Sequence, residues 1–184
     1  MHDFIFVSHS TSDPDAHLTE AICDFFTRAG IGTANFFCSS YSIQAMELGE
    51  DDLRQIYDHL DRAQIFIEIM TKSYLTRPHC LMEVGYAIAR HRQSQKQTKG
   101  RAGVRFAPLV IPPLDFSDVN ALHRKYAIKL SNAEQCRQFT QRIRNLLADL
   151  SYRLDEKTWT QASLRFQRKW ATALGNYSAS IGST

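Results

Sequence analysis

Phe4-Ile5-Phe6-Val7, closed by Ser8-His9-Ser10-Thr11-Ser12-Asp13, is the stretch on which the fold turns. Four apolar residues with no polar alternation suit a strand covered on both faces, which is the habit of parallel sheets. A helix opens directly behind it. Asp13 or Ser12 supplies the cap, Pro14 starts the first turn, and Leu18, Ile22, Phe25, Phe26 and Ala29 recur at threes and fours until Gly30.

The alternation then repeats along the chain. Thr33 to Phe37 reads as a second strand, followed by a loop from Cys38 to Gly49 and a helix from Glu50 to Arg62. Ile65-Phe66-Ile67-Glu68-Ile69-Met70 reads as a third strand, and Pro78 opens a helix to about His91. Residues 92–105 are polar and lack apolar periodicity, which predicts a connection. Phe106 to Ile111 is a fourth strand stopped by Pro112-Pro113, and Tyr126 to Leu130 a fifth. Asn132 caps a helix through Leu150; a last helix covers about Thr160 to Leu174, before a frayed tail from Ser178 to Thr184. Strands alternating with helices five times over predict an α/β fold. Its form is a flavodoxin-like three-layer sandwich with a five-stranded parallel sheet, helices on both faces and a C-terminal helix.

Composition narrows the function classes. The 184 residues are 43% hydrophobic and 22% charged, ordinary for a folded domain and unlike a disordered or collagen-like chain. A net charge of +3 is too mild to announce a nucleic-acid binder. The basic run from Arg90 through Arg92, Lys96, Lys99, Arg101 and Arg105 has no aromatic residue within it, so it reads as a solvated connection or a weak attractor of anions. Cys23, Cys38, Cys80 and Cys136 stand singly, without metal-ligand spacing, and read as reduced thiols. No run approaches the roughly 18 apolar residues of a membrane span. The expectation is a cytoplasmic protein with no nucleic-acid, membrane or metal partner.

In such folds ligands sit beyond the carboxyl ends of the strands, at the loops 8–13, 38–49, 71–79 and 112–124. No glycine-rich phosphate cradle and no G-x-S-x-G elbow occurs there. Ser8, His9 and Ser10 end the first strand with hydrogen-bond donors, which also suit helix capping and the local turn. On the helix from Pro78 the apolar stripe is Leu81, Val84 and Ile88, with Glu83 on its shoulder and Ala87 where a surface ion pair would want a base. Spacing alone leaves open an ordinary solvated glutamate and a functional carboxylate. Glu68, inside an apolar strand, suits an edge position or an ion pair equally.

The boxes together resemble Toll/interleukin-1 receptor (TIR) domains, over roughly residues 3–150. Phe4 to Ser10 followed by Asp13 resembles the first box; Phe36-Phe37-Cys38-Ser39-Ser40, Ile43 and Leu48-Gly49-Glu50 resemble the second strand and BB loop. Ile65 to Met70, Tyr74 and Cys80-Leu81-Met82-Glu83-Val84-Gly85-Tyr86-Ala87 resemble the third strand and the helix after it. Pro108 to Asp118 is similar to the fourth strand and loop of bacterial TIR proteins of antiphage systems, including the Thoeris type. The resemblance divides the chain into a TIR domain over 1–150 and a C-terminal helical extension with a frayed tail over 151–184.

The resemblance implies an NAD+ glycohydrolase or cyclase with Glu83 as catalytic carboxylate, NAD+ as substrate and no cofactor. It also implies substrate contacts from Ser8, His9, Ser10, Phe37, Cys38, Ser39, Tyr41, Ile43, His79 and Cys80. Phe37 is equally suited to the core, and Cys38 and Cys80 to packed thiols. His79 stands where the family often has Trp. Tyr41, Ile43, Met46 and Leu48 of the BB loop are the expected self-association surface, unless that loop folds back on its own core. Residues 151–184 are too short for an effector domain, so the expected product signals to a separate effector protein in antiphage defence. A non-catalytic TIR scaffold is the competing expectation.

Overall fold

The computed structural model describes residues 4–38, 50–96, 103–119 and 121–182. The elements run β1 (Ile5–Ser8), α1 (Asp13–Arg28), β2 (Phe36–Cys38), α2 (Glu50–Arg62), β3 (Ile65–Met70), α3 (Lys72–Thr76) and α4 (Pro78–Lys96). They continue with β4 (Arg105–Val110), α5 (Ala121–Tyr126), β5 (Ile128–Lys129), α6 (Ala133–Asp149) and α7 (Glu156–Gly182). The five strands form one all-parallel sheet in the order β2-β1-β3-β4-β5. This is the expected flavodoxin-like sandwich. Its strand order reverses at β1, and in folds of this kind the ligand crevice lies at that switch point, here the carboxyl ends of β1 and β3.

Strand alternation sorts the core into two layers. Ile5, Val7, Ile65, Ile67 and Ile69 face α1, α6 and α7, where Phe25 touches the rings of Phe26, Phe139, Trp159 and Phe166. Phe4, Phe6, Phe66 and Met70 face the opposite way, against Ile56 and Leu60 of α2 and Val84 and Ala87 of α4. Ser8 and Glu68 continue this second set along β1 and β3, and they are register partners.

Several boundaries differ from the sequence reading. α1 ends as expected at Gly30, whose φ of +82° lets the Ile31 N–H reach back to the Phe26 carbonyl at 3.0 Å. The second strand is shorter: Thr33–Asn35 is a 3-10 turn, closed by the Asn35 N–H on the Gly32 carbonyl at 2.8 Å, and pairing starts at Phe36. The fifth strand shrinks to Ile128–Lys129 because Tyr126 is the last residue of α5. α4 runs on to Lys96, since nothing after His91 breaks a helix. Arg90, the first residue of the basic run, lies within α4, where its guanidinium donates to the Leu60 and Ala63 carbonyls at the end of α2.

The largest departure is α7. The Asp155 carboxylate accepts the Thr158 N–H at 2.8 Å and starts the helix before Thr160. Trp159, Phe166, Trp170, Ala173 and Tyr177 recur along its buried face, so the helix continues through Ser178, where fraying was expected, to Gly182. The Trp170 indole N–H donates to the Leu130 carbonyl at 3.0 Å, fastening α7 to the sheet side of the molecule. No helix among the described residues is long and apolar enough to cross a membrane.

Candidate active site

The crevice at the switch point holds a buried polar cluster. Glu83 of α4 is 5% exposed, and Ser8, Glu68, Thr71 and Tyr74 are buried around the same strand ends. The Ser8 hydroxyl donates to Glu83 Oε2 and lies 2.9 Å from the Tyr74 hydroxyl. The end of β1 and residues of α3 and α4 are thus joined through the Ser8 hydroxyl at one carboxylate.

α4 sits differently from the stripe read in the sequence. Its inward positions are Cys80, Glu83, Val84 and Ala87, while Leu81 is 50% exposed and Met82 is also exposed. The helix is turned so that Glu83 faces the end of β1, where the Ser8 hydroxyl receives it. Cys80, Val84 and Ala87 join Phe66, Met70 and Tyr74 in the same buried cluster, which Leu81 does not enter. Burying a carboxyl group in this way favours its neutral form. Burial pushes the Glu83 pKa up to about 8, and the Ser8 hydrogen bond opposes that rise.

Glu68 stands in the middle of β3, between β1 and β4, so the edge position, one of the two alternatives the sequence left open, is not observed. Burial pushes its pKa up to about 8 as well. Tyr74 titrates well above the ordinary tyrosine range, first through burial and then through the charges of Glu68 and Glu83. Both carboxyls are therefore felt at one phenol.

The other expected contacts divide. His9 is buried, its ring 3.8 Å from Cys38 Sγ, and burial lowers its pKa to about 4, which keeps the imidazole neutral. Cys80 donates its thiol to the His9 carbonyl at 3.3 Å, and burial, then Glu83, push its pKa to about 12. The Ser10 hydroxyl accepts the Ser12 N–H at 3.2 Å and lies 3.0 Å from Ser12 Oγ, so it shapes the turn into α1. Phe37 packs on Phe6 and stacks on His59 at 3.9 Å between centroids; its ring serves the core, and with Cys38 it borders a groove of about 600 Å³ along β2. Glu83 does not line that groove. His79 is exposed on the first turn of α4. Ser39, Tyr41, Ile43, Met46 and Leu48, with the self-association surface assigned to them, lie outside the described residues.

Sequence reasoning missed Tyr74 as a site residue, and with it Asp15. The Asp15 carboxylate is buried and accepts the hydroxyls of Thr71 at 2.8 Å and Ser73 at 2.6 Å. Thr71 in turn accepts the Tyr74 N–H at 3.1 Å, capping α3. Chemically, a dry carboxyl held by one hydroxyl is suited to meet a positive charge that develops beside it. Among the described residues, no three or more His, Cys, Asp or Glu side chains gather as a metal-ligand set.

A search of curated proteins finds no match. Against known families, residues 5–147 match the TIR domain, a span that contains the whole sheet, the switch-point crevice and Glu83. The chain belongs to the TIR-domain family.

Proposed function

We propose that this protein cleaves the nicotinamide–ribose bond of NAD+, with Glu83 as the carboxylate that stabilises the ribose cation, and yields an ADP-ribose-derived product. The observation that carries the reading is the placement of Glu83: buried in the switch-point crevice and fixed by the Ser8 hydroxyl. Loss of nicotinamide leaves positive charge on the ribose, as in glycoside hydrolysis, where a carboxylate stabilises an oxocarbenium-like transition state. Nicotinamide departs from a cationic state as a neutral base, so the step needs no general acid. A carboxyl that is neutral in the dry free site ionises readily when the pyridinium cation arrives, because an opposite charge nearby favours the charged form. Attraction is then concentrated where charge develops.

On this reading the product is a signal to a separate effector protein within the cytoplasm in antiphage defence; the resemblance of Pro108 to Asp118 to bacterial TIR proteins of such systems supports it. The second reading, a TIR scaffold without catalysis, is favoured by His79, which stands exposed where the family often has Trp. Nicotinamide release from NAD+ by concentrated protein separates the two. The enzyme reading expects release, falling about 10²–10³-fold in Glu83→Ala. No release at any concentration supports the scaffold.

A further inference from the structure

Positive charge gathers at the amino end of β4, where the reaction at Glu83 makes no use of it. No Asp or Glu occurs between Glu83 and Asp115, between Asp118 and Glu134, or between Glu134 and Asp149. Those stretches supply the rest of α4, all of β4 and α5, and nearly all of α6. They meet at a cavity of about 370 Å³, lined by the polar groups of His91, Arg105 and Arg142 and the apolar surfaces of Phe106, Tyr126 and Leu146. Among the described residues no carboxylate lines it, and neither Glu83 nor Ser8 does.

Arg105 is the first residue of β4, whereas Ser8 is the last of β1 in the same parallel sheet, so the cavity and the crevice lie towards opposite strand ends. Alternation along β4 gives Arg105 the face of Ala107, the face that packs on α6, and not the face of Phe106. Its guanidinium Nη1 is buried without a hydrogen-bond partner, a costly state for a charged donor. Arg142 donates to the Tyr126 carbonyl and, at 2.9 Å, to the Phe106 carbonyl, which fixes its fork in the wall. Neither guanidinium has an ion-pair partner among the described residues. The His91 Nδ1–H donates to the Val104 carbonyl at 2.9 Å, and its ring stands edge-on to Phe106.

We propose that this cavity binds a small phosphate monoester, with its phosphate on Arg105 and its organic group on Phe106, Tyr126 and Leu146. Two guanidiniums without a counter-charge select an anion, and a phosphate offers several acceptor oxygens in the geometry of the arginine fork. Arg142 already gives two donors to carbonyls, so it contributes charge while Arg105 contributes the open donors. The apolar wall separates an ester from the bare ion, because inorganic phosphate leaves that wall uncovered.

The test is phenyl phosphate titrated into the full chain and followed by amide NMR, with inorganic phosphate and phenol as part-ligands. Saturable shifts are expected at Val104, Phe106 and Leu146 and not at Ser8. Phenyl phosphate is expected to bind at least about tenfold more tightly than either part-ligand. Arg105→Gln keeps an aliphatic stem, loses the charge, and is expected to weaken binding about tenfold or more. Arg105→Lys keeps the charge without the fork, and its affinity is expected to fall between the two. Glu83→Gln is expected to bind phenyl phosphate as the wild type does, whatever its effect on nicotinamide release. Shifts that never saturate, an affinity unchanged in Arg105→Gln, or shifts centred on Ser8 overturn the proposal. Inorganic phosphate binding as tightly as phenyl phosphate overturns it too, since the apolar wall then takes no part.

Discussion

The hydroxyl of Ser8, at the end of β1, lies 2.9 Å from the hydroxyl of Tyr74 on α3, and Ser8 donates onward to Glu83. A fully buried pair of hydroxyls is costly to separate, because each leaves the other without its bond. Ser8→Ala is therefore expected to destabilise the protein by about 1–3 kcal/mol in urea denaturation. It also removes the one contact that opposes the rise of the Glu83 pKa, so the activity loss should be largest at low pH. Equal loss at every pH would contradict this.

Glu83 and Glu68 both hold protons in the folded protein that an unfolded chain releases from about pH 4.5. Stability that is fully present below 4.5 is consequently lost as the pH rises through the folded values near 8. His9 acts in the other sense between about 4 and 6.5, because the unfolded imidazole binds the proton more tightly there. The window from 6.5 to 8 isolates the two glutamates. Chemical denaturation across it should show falling stability, with a shallower slope in Glu68→Gln.

Catalysis should run the opposite way. The free site must ionise Glu83 to stabilise a cation, so kcat/KM for nicotinamide release is expected to climb with pH until about 8. Bound NAD+ brings its own positive charge, which favours the ionised carboxyl, so kcat should level off at lower pH than kcat/KM. A kcat/KM profile flat from pH 6 to 9 contradicts this (pH limits being about one to two units either side of the midpoint).

The thiols divide by burial. Cys23 on α1 is partly exposed and borders the groove along β2, while Cys38, Cys80 and Cys136 are buried. Burial pushes Cys80 and Cys136 to about 12, so neither forms thiolate near neutral pH. Brief maleimide treatment of the native protein followed by peptide mapping should label Cys23 first. Fast labelling of Cys80 would mean that the crevice is open.

Truncating Phe25 should expose how far α7 belongs to the core. Its ring meets Trp159 at 5.1 Å and Phe166 at 5.1 Å, both on α7. Phe25→Ala is expected to cost about 3–5 kcal/mol, measured by denaturant unfolding in a single transition. Two separate transitions would mean that α7 folds apart from the sheet.

The sheet was legible because its cause is local. Phe4 to Val7, and Ile65 to Met70 apart from Glu68, are apolar on both faces, as a covered parallel strand requires. Glu83 was legible by motif, but its orientation was not. Periodicity gives the inward positions to Leu81 rather than to a thiol and a carboxyl, and the reason for the opposite outcome, Ser8, is 75 residues away. Tyr74 was missed for the same reason, its partner lying 66 residues distant. The end of α7 looked like a frayed tail because Ser178, Ser180 and Gly182 are poor helix formers, whereas Tyr177 is held by tertiary contacts that no local pattern displays.

The most direct measurement is nicotinamide release from NAD+ by Glu83→Gln beside the wild-type protein, with both confirmed folded by circular dichroism. The amide keeps the size of the side chain and can still accept the Ser8 hydroxyl, so packing is preserved and only the capacity to ionise is lost. The account predicts release by the wild type and a loss of about 10²–10³-fold in the variant. Equal release by the two proteins would contradict it.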